Sequence, residues 1–126
     1  MKRTILNLVI LSVFLLTLFS CYYDSEEALY PELSSGCDTT TVTFSGTIVS
    51  ILNNNCYSCH SNSTAATAGN NVRLQNYTDV KSRAAAIAGS ISHTANFVPM
   101  PKNGGKIKAC SITQFDIWVR KGMINN

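Results

Sequence analysis

The segment Cys56-Tyr57-Ser58-Cys59-His60 is the most specific motif of this chain. It carries two thiols and an imidazole on a single short stretch, so that three reactive side chains can reach one compact group. In the C-x-x-C-H spacing the thiols add across the vinyl groups of a haem, and the adjacent imidazole binds the iron from one face. One such motif predicts one covalent haem c per chain, held by Cys56, Cys59 and His60.

Two other chemistries use similar residues. A thioredoxin-like C-x-x-C motif requires a strand–helix–strand setting, and the flanking sequence has no strand pattern. A zinc site requires a second pair of ligands, whereas the only other histidine of the chain is His93. Haem attachment is therefore the favoured interpretation, with a redox dithiol and a zinc site as its competitors.

The N-terminal residues have the pattern of an export signal. A basic start precedes a mostly apolar run, Ile5–Phe19, which is shorter than the roughly 20 residues that a membrane-spanning helix needs. The segment Leu18-Phe19-Ser20-Cys21 is similar to a bacterial lipobox. We therefore predict a lipoprotein signal peptide over 1–20, lipidation of Cys21, and an exported protein tethered to a bacterial membrane, the outer membrane being favoured, on its periplasmic or cell-surface side. An ordinary signal peptide, with Cys21 as a thiol, is the alternative.

Length and charge exclude several classes of protein. Removal of the leader leaves roughly one hundred residues, which suffice for one small core. The net charge of +3 is too small to indicate a nucleic-acid-binding protein, and the P-loop and Rossmann glycine motifs are absent from the sequence. Five of the seven acidic residues fall within 21–42, which is predicted to be a flexible tether. The predicted globular domain, 43–126, has eight Lys or Arg and two acids, hence a charge of +6.

Two cysteines remain after lipidation and haem attachment have been assigned. These are Cys37 and Cys110. In an oxidising compartment such a pair predicts a disulfide, which would close a loop of about 73 residues. A pair of unpaired thiols is the alternative.

Four stretches between Phe44 and Asn126 resemble a small single-haem cytochrome c domain, of the kind found in lipoproteins of Bacteroidota and in planctomycete proteins. They are GTIVSILNNNCYSCH, RLQNYTDV, HTANFVPMPKNGGKIKAC and ITQFDIWVRKGM. The resemblance implies an all-α, cytochrome c-like fold of three to four helices around one covalent haem. It also implies that a histidine and a methionine bind the iron from opposite sides.

Met100 is the predicted sixth ligand. It stands in Phe97-Val98-Pro99-Met100-Pro101, where the two prolines fix φ and produce a stiff loop that can hold a thioether toward the iron. Met123 follows the last predicted helix and is more simply a packing residue. His93 is the alternative ligand, because bis-histidine ligation also gives a closed electron carrier.

Apolar residues at helical spacing predict three helices, about 45–55, 76–89 and 111–121, with a loop over 61–72. Asn76 or Thr78 is the expected cap of the second helix, and Ser111 of the third. Leu74 and Tyr77, at the entrance of the second helix, are expected to wall the haem.

These features predict a one-electron carrier and not an enzyme, because no group of side chains matches a catalytic motif. A low-spin iron with two protein ligands exchanges an electron with little rearrangement. The basic domain predicts redox partners that are acidic at their docking sites. A haem enzyme or gas-binding sensor with an open or labile sixth site is one alternative, and a structural haem module of a surface complex is another.

Overall fold

A computed structural model of the chain describes residues 36–126. Within this range all regular secondary structure is helical, which confirms the predicted all-α class. The elements are a π-helical segment, Phe44–Ile48, followed by helices α1 (Val49–Asn55), α2 (Tyr57–His60), α3 (Tyr77–Ser82), α4 (Ala84–Ile91) and α5 (Ala109–Arg120). The predicted signal peptide, Cys21 and most of the predicted tether lie outside the described residues. None of the helices in the described part of the chain has the length and apolarity to cross a membrane.

The first helical stretch begins at Phe44, one residue before the predicted start, and its first turn is π-helical. The Thr43 hydroxyl accepts a hydrogen bond from the Gly46 N–H at 3.2 Å, and the Thr43 carbonyl accepts from the Ile48 N–H at 3.1 Å. The second bond spans five residues, which is the π-helical pattern. The segment then continues as α1 and leads directly into the C-x-x-C-H motif on α2.

The second predicted helix is divided in two at Arg83, where the backbone leaves the helical region (φ −112°, ψ 8°). The Arg83 N–H donates to the Val80 carbonyl at 3.2 Å, a tighter turn than that of an α-helix. Asn76 occupies the cap position of α3, but its side chain donates to the Asp79 carboxylate instead of capping the backbone. Asn76 therefore occupies the predicted cap position, but its side chain does not form the capping hydrogen bond that was expected.

Helix α5 begins before the predicted cap. Ser111 lies inside the first turn, and Lys108 is the N-cap residue without a side-chain capping bond. Cys110, the second residue of α5, forms the disulfide with Cys37 in this first turn. The other end matches the prediction, because Gly122 adopts a φ of +88°, which a side chain would disfavour.

In the core, residues near the start of the described range pack against residues near its end. Phe44 packs against Trp118 of α5, with ring centroids 5.6 Å apart, and the Phe115 ring lies at the same distance from the indole. Trp118 is 1% exposed, and its Nε1–H donates to the Ile124 carbonyl at 2.9 Å, which supplies the polar partner that a buried indole needs. The Ser45 N–H donates to the Asn126 carbonyl at 2.8 Å. The C-terminal residue is thereby joined to the start of the first helical segment.

Cys37 and Cys110 are paired in a disulfide with Cα atoms 5.6 Å apart. Residues near Cys37 also contact α5, because the Gln114 side chain donates to the Asp38 carbonyl at 2.8 Å. Val42 is buried in the core. The packed domain therefore starts before the predicted boundary at position 43.

Reduction of this disulfide is expected to lower the free energy of unfolding by about 4 kcal/mol, because the crosslink closes a loop of 73 residues. Chemical denaturation with and without reductant measures the difference. The Cys37→Ser, Cys110→Ser variant is the control: any shift that reductant causes in its denaturation midpoint, through reduction of the predicted haem iron, is subtracted. Equal midpoints for the wild-type protein under both conditions would show that the bond contributes nothing to stability.

Candidate functional site

The His60 imidazole is held in one orientation by the segment that follows it. Its Nδ1 lies 3.0 Å from the Val72 carbonyl oxygen, and the Leu74 N–H donates to the His60 carbonyl at 2.9 Å. A carbonyl oxygen only accepts hydrogen bonds, so Nδ1 is the donor, and Nε2 is the ring nitrogen left for a metal. Histidines that bind metals are typically fixed in this way. The sequence pattern of loop 61–72 gave no sign of this role.

Gly69 allows that loop to approach the motif closely. A Cβ atom at this position would lie 2.9 Å from His60 Nδ1 and closer still to the Cys59 carbonyl oxygen. Backbone atoms cannot move aside as the end of a long side chain can. The absence of a side chain at position 69 is therefore a condition for the orientation of His60.

The Gly69→Ala variant is expected to lose about 1–3 kcal/mol of stability through overpacking and to incorporate less haem than the wild-type chain. Thermal unfolding and the ratio of haem absorbance to protein measure the two effects. Gly105→Ala is the matched control, because nothing lies within 4 Å of a Cβ built there. Equal losses in both variants would contradict the proposed close approach.

An apolar cavity of about 170 Å³ joins α2 to α4 and to the loop around Met100. Its lining combines the candidate ligands with aliphatic side chains and two polar residues at the edge: Cys56, His60, Met100, Val72, Leu74, Ala86, Ile87, Ile91, Arg83 and Ser90. The sequence separates His60 from Met100 by forty positions, and the fold brings both to one cavity. An imidazole and a thioether on the same apolar cavity are side chains that could hold a haem iron.

Met100 reaches the cavity because its backbone is tied to the end of α4. The Met100 N–H donates to the Ser90 carbonyl at 3.0 Å, and His93 Nε2 lies 3.1 Å from the Met100 carbonyl oxygen. His93, the alternative sixth ligand, is not among the residues that line the cavity. Its Nε2 is engaged by the Met100 main chain instead.

Comparison of the chain with protein-family models, with curated proteins and with solved structures gave no match. A haem site is therefore inferred only from the residue types and from where the fold places them.

The two cysteines of the motif differ in environment, and neither is in a disulfide. Cys56 lines the cavity, and burial raises the pKa of its thiol to about 11. Burial also raises the pKa of Tyr57, with a smaller contribution from the neighbouring Cys56. A redox C-x-x-C motif depends on a first thiol of lowered pKa, so the environment of Cys56 opposes the thioredoxin-like alternative. Cys59 is exposed, on the same helical turn.

The predicted walls of the haem, Leu74 and Tyr77, have different surroundings. Leu74 is buried and lines the cavity. Tyr77 does not line it: its ring packs edge-on against Phe44 at 5.1 Å, and its hydroxyl donates to the Met123 carbonyl at 2.8 Å. That Tyr77 walls the haem therefore stays a prediction, and its hydroxyl has a partner in the C-terminal segment that helix periodicity does not reveal.

A larger groove of about 530 Å³ lies on another side of the domain, between α1 and α5. Amide and hydroxyl side chains and Lys108 dominate its lining, and no Cys, His or Met is among them. Across residues 36–126, His, Cys, Asp and Glu side chains do not gather in groups of three or more that would suit a metal ion. The smaller apolar cavity, where a histidine, a methionine and a cysteine meet, is therefore the candidate site.

Proposed function

We propose that the chain is a c-type cytochrome: a one-electron carrier with a single covalent haem, His60 and Met100 as axial ligands, and a lipid tether at Cys21. The observation that carries this proposal is the convergence of His60, Met100 and Cys56 on one apolar cavity. The spacing of the C-x-x-C-H motif supports it independently.

The residues around the cavity suit a haem in several respects. Cys56 and Cys59 would hold it through thioether bonds, and His60 Nε2 and the Met100 sulfur would bind its iron. Leu74 and the aliphatic side chains of α4 would exclude water from its faces. When bound, such a group supplies reversible one-electron chemistry, and methionine as the sixth ligand raises the reduction potential.

Arg83 is the charged residue at the edge of the cavity. Its guanidinium would pair with a carboxylate of the haem, because planar bidentate recognition of carboxylates is the usual function of arginine. Sequence patterning could not identify this residue, since Arg83 is simply the basic position where the second predicted helix breaks.

The surface beside Met100 suits transient contact with a partner. Phe97 and Val98 are exposed, at 39% and 68%, and Lys102 and Lys106 follow in the same loop. An apolar centre beside positive charge favours an acidic redox protein over a basic one. We propose that partners approach this side of the domain and that their association weakens as salt concentration rises.

Optical spectroscopy of the full chain, extracted from membranes in both oxidation states, tests the proposed function. A carrier with methionine ligation shows a low-spin spectrum, a thioether-to-iron absorption band in the ferric state, and rapid reversible cycling with a small redox mediator. A high-spin ferric protein that binds cyanide or carbon monoxide at once would favour the enzyme or gas-sensor alternative. A haem that cannot be cycled by the mediator would favour a structural module.

A further inference from the structure

Helix α4 ends on a residue type that is unusual at its position. His93 follows the last turn with a φ of +54°, in the left-handed region where glycine is favoured. The Thr94 N–H donates to the Gly89 carbonyl at 2.9 Å, and the His93 N–H donates to the Ser90 carbonyl at 3.3 Å. These are the two hydrogen bonds of a Schellman motif, whose left-handed residue is usually glycine.

Helix α5 ends with the same pair of bonds and does use glycine. The Met123 N–H donates to the Trp118 carbonyl at 3.0 Å, and the Gly122 N–H donates to the Val119 carbonyl at 3.1 Å. Glycine is therefore sufficient to end a helix with these two hydrogen bonds, and an imidazole side chain is not needed. A histidine in a strained backbone conformation points to a use for its side chain, because such strain persists where function maintains it.

The His93 side chain contacts the residue proposed to bind the iron. Its Nε2 lies 3.1 Å from the Met100 carbonyl oxygen, and since that oxygen only accepts, Nε2 is the donor. The Met100 N–H donates to Ser90 at 3.0 Å. Met100 is thus held at both its N–H and its C=O by the end of α4, whereas its neighbours Pro99 and Pro101 have no N–H to contribute.

We propose that His93 is a positioning residue: by holding the main chain of Met100, it sets how strongly the Met100 thioether binds the haem iron. The inference rests on the proposed function. A sixth ligand on a loosened loop competes less well with an added ligand, so His93 should control both the access of small ligands to the iron and the reduction potential.

Three substitutions separate the hydrogen bond from the helix ending. His93→Asn keeps a residue that tolerates the left-handed conformation, but its shorter amide does not reach the Met100 carbonyl. His93→Gly removes the backbone strain together with the side chain. His93→Gln places an amide N–H at about the reach of Nε2 and restores a donor. All are compared as full-length, haem-loaded protein.

Binding of imidazole to the ferric protein is the principal measurement. We expect His93→Asn and His93→Gly to bind imidazole about ten-fold more tightly than the wild-type protein, as the loss of one hydrogen bond predicts. Both variants should show a weaker thioether-to-iron band and a lower reduction potential, while their unfolding temperatures stay at or above that of the wild-type protein. His93→Gln should restore all three haem properties.

These measurements distinguish failure of the positioning role of His93 from failure of the proposed function. If His93→Asn binds imidazole as the wild-type protein does, the positioning role is overturned while the cytochrome proposal stands. If His93→Gln behaves like His93→Asn, the hydrogen bond is not the cause and the inference is also overturned. A wild-type protein that has no haem, or no thioether band, overturns the proposed function and this inference with it.

Discussion

Replacing Met100 with alanine is expected to abolish the thioether-to-iron absorption band and to lower the reduction potential by about 100 mV or more, within the range of roughly 0.8 V that axial ligands span. The variant should also bind carbon monoxide in the ferrous state at once. The physical reason is that Met100 lines the same cavity as His60, whose Nδ1 lies 3.0 Å from the Val72 carbonyl oxygen and whose Nε2 would bind the iron. Absorption spectra and a mediated redox titration measure these effects.

Met123→Ala is the matched control for that substitution. Met123 follows α5, where its carbonyl accepts from Tyr77, and its side chain is not among those lining the cavity. Its replacement should leave the band and the potential unchanged. A Met100→Ala protein that keeps its spectrum, together with a His93 variant that loses it, would contradict methionine ligation and indicate bis-histidine ligation instead.

Replacing both Cys56 and Cys59 with alanine is expected to remove the haem and most of the folded structure with it. The core of the described residues is small, and domains of this size commonly depend on a staple or a cofactor for stability. Circular dichroism should show a large loss of helix, and haem absorbance should be lost from the denatured, purified chain.

The Cys37→Ser, Cys110→Ser protein is the control for the loss of two cysteines. It should keep its covalent haem and remain helical, with lower stability, because its missing bond lies away from the cavity. If the Cys56→Ala, Cys59→Ala protein folds as well as this control, the haem is not needed for the fold.

Local sequence signals predicted the elements of the fold. Helical periodicity located the helices to within a few residues. The count of leftover cysteines indicated the Cys37–Cys110 pair. The predicted cap at Ser111 was wrong, because α5 begins at Ala109 and Ser111 lies within its first turn.

The arrangement of the candidate site depended on contacts between distant residues, and these have no local signal. The bond from His60 to Val72 spans twelve residues within a stretch whose composition indicated only a loop. His93 was the alternative sixth ligand, because histidine commonly binds iron. In the structure its imidazole contacts the Met100 carbonyl instead. Residue type and spacing could therefore predict the candidate ligands, but not the residues that hold them by hydrogen bonds.

Intact mass analysis of the natively matured, denatured chain measures whether a haem is covalently attached. Covalent attachment through Cys56 and Cys59 predicts a protein heavier by the mass of one haem, which organic extraction does not remove and which maps to the peptide that contains Tyr57 and Ser58. A mass equal to that of the processed and lipidated polypeptide alone would contradict the cytochrome proposal.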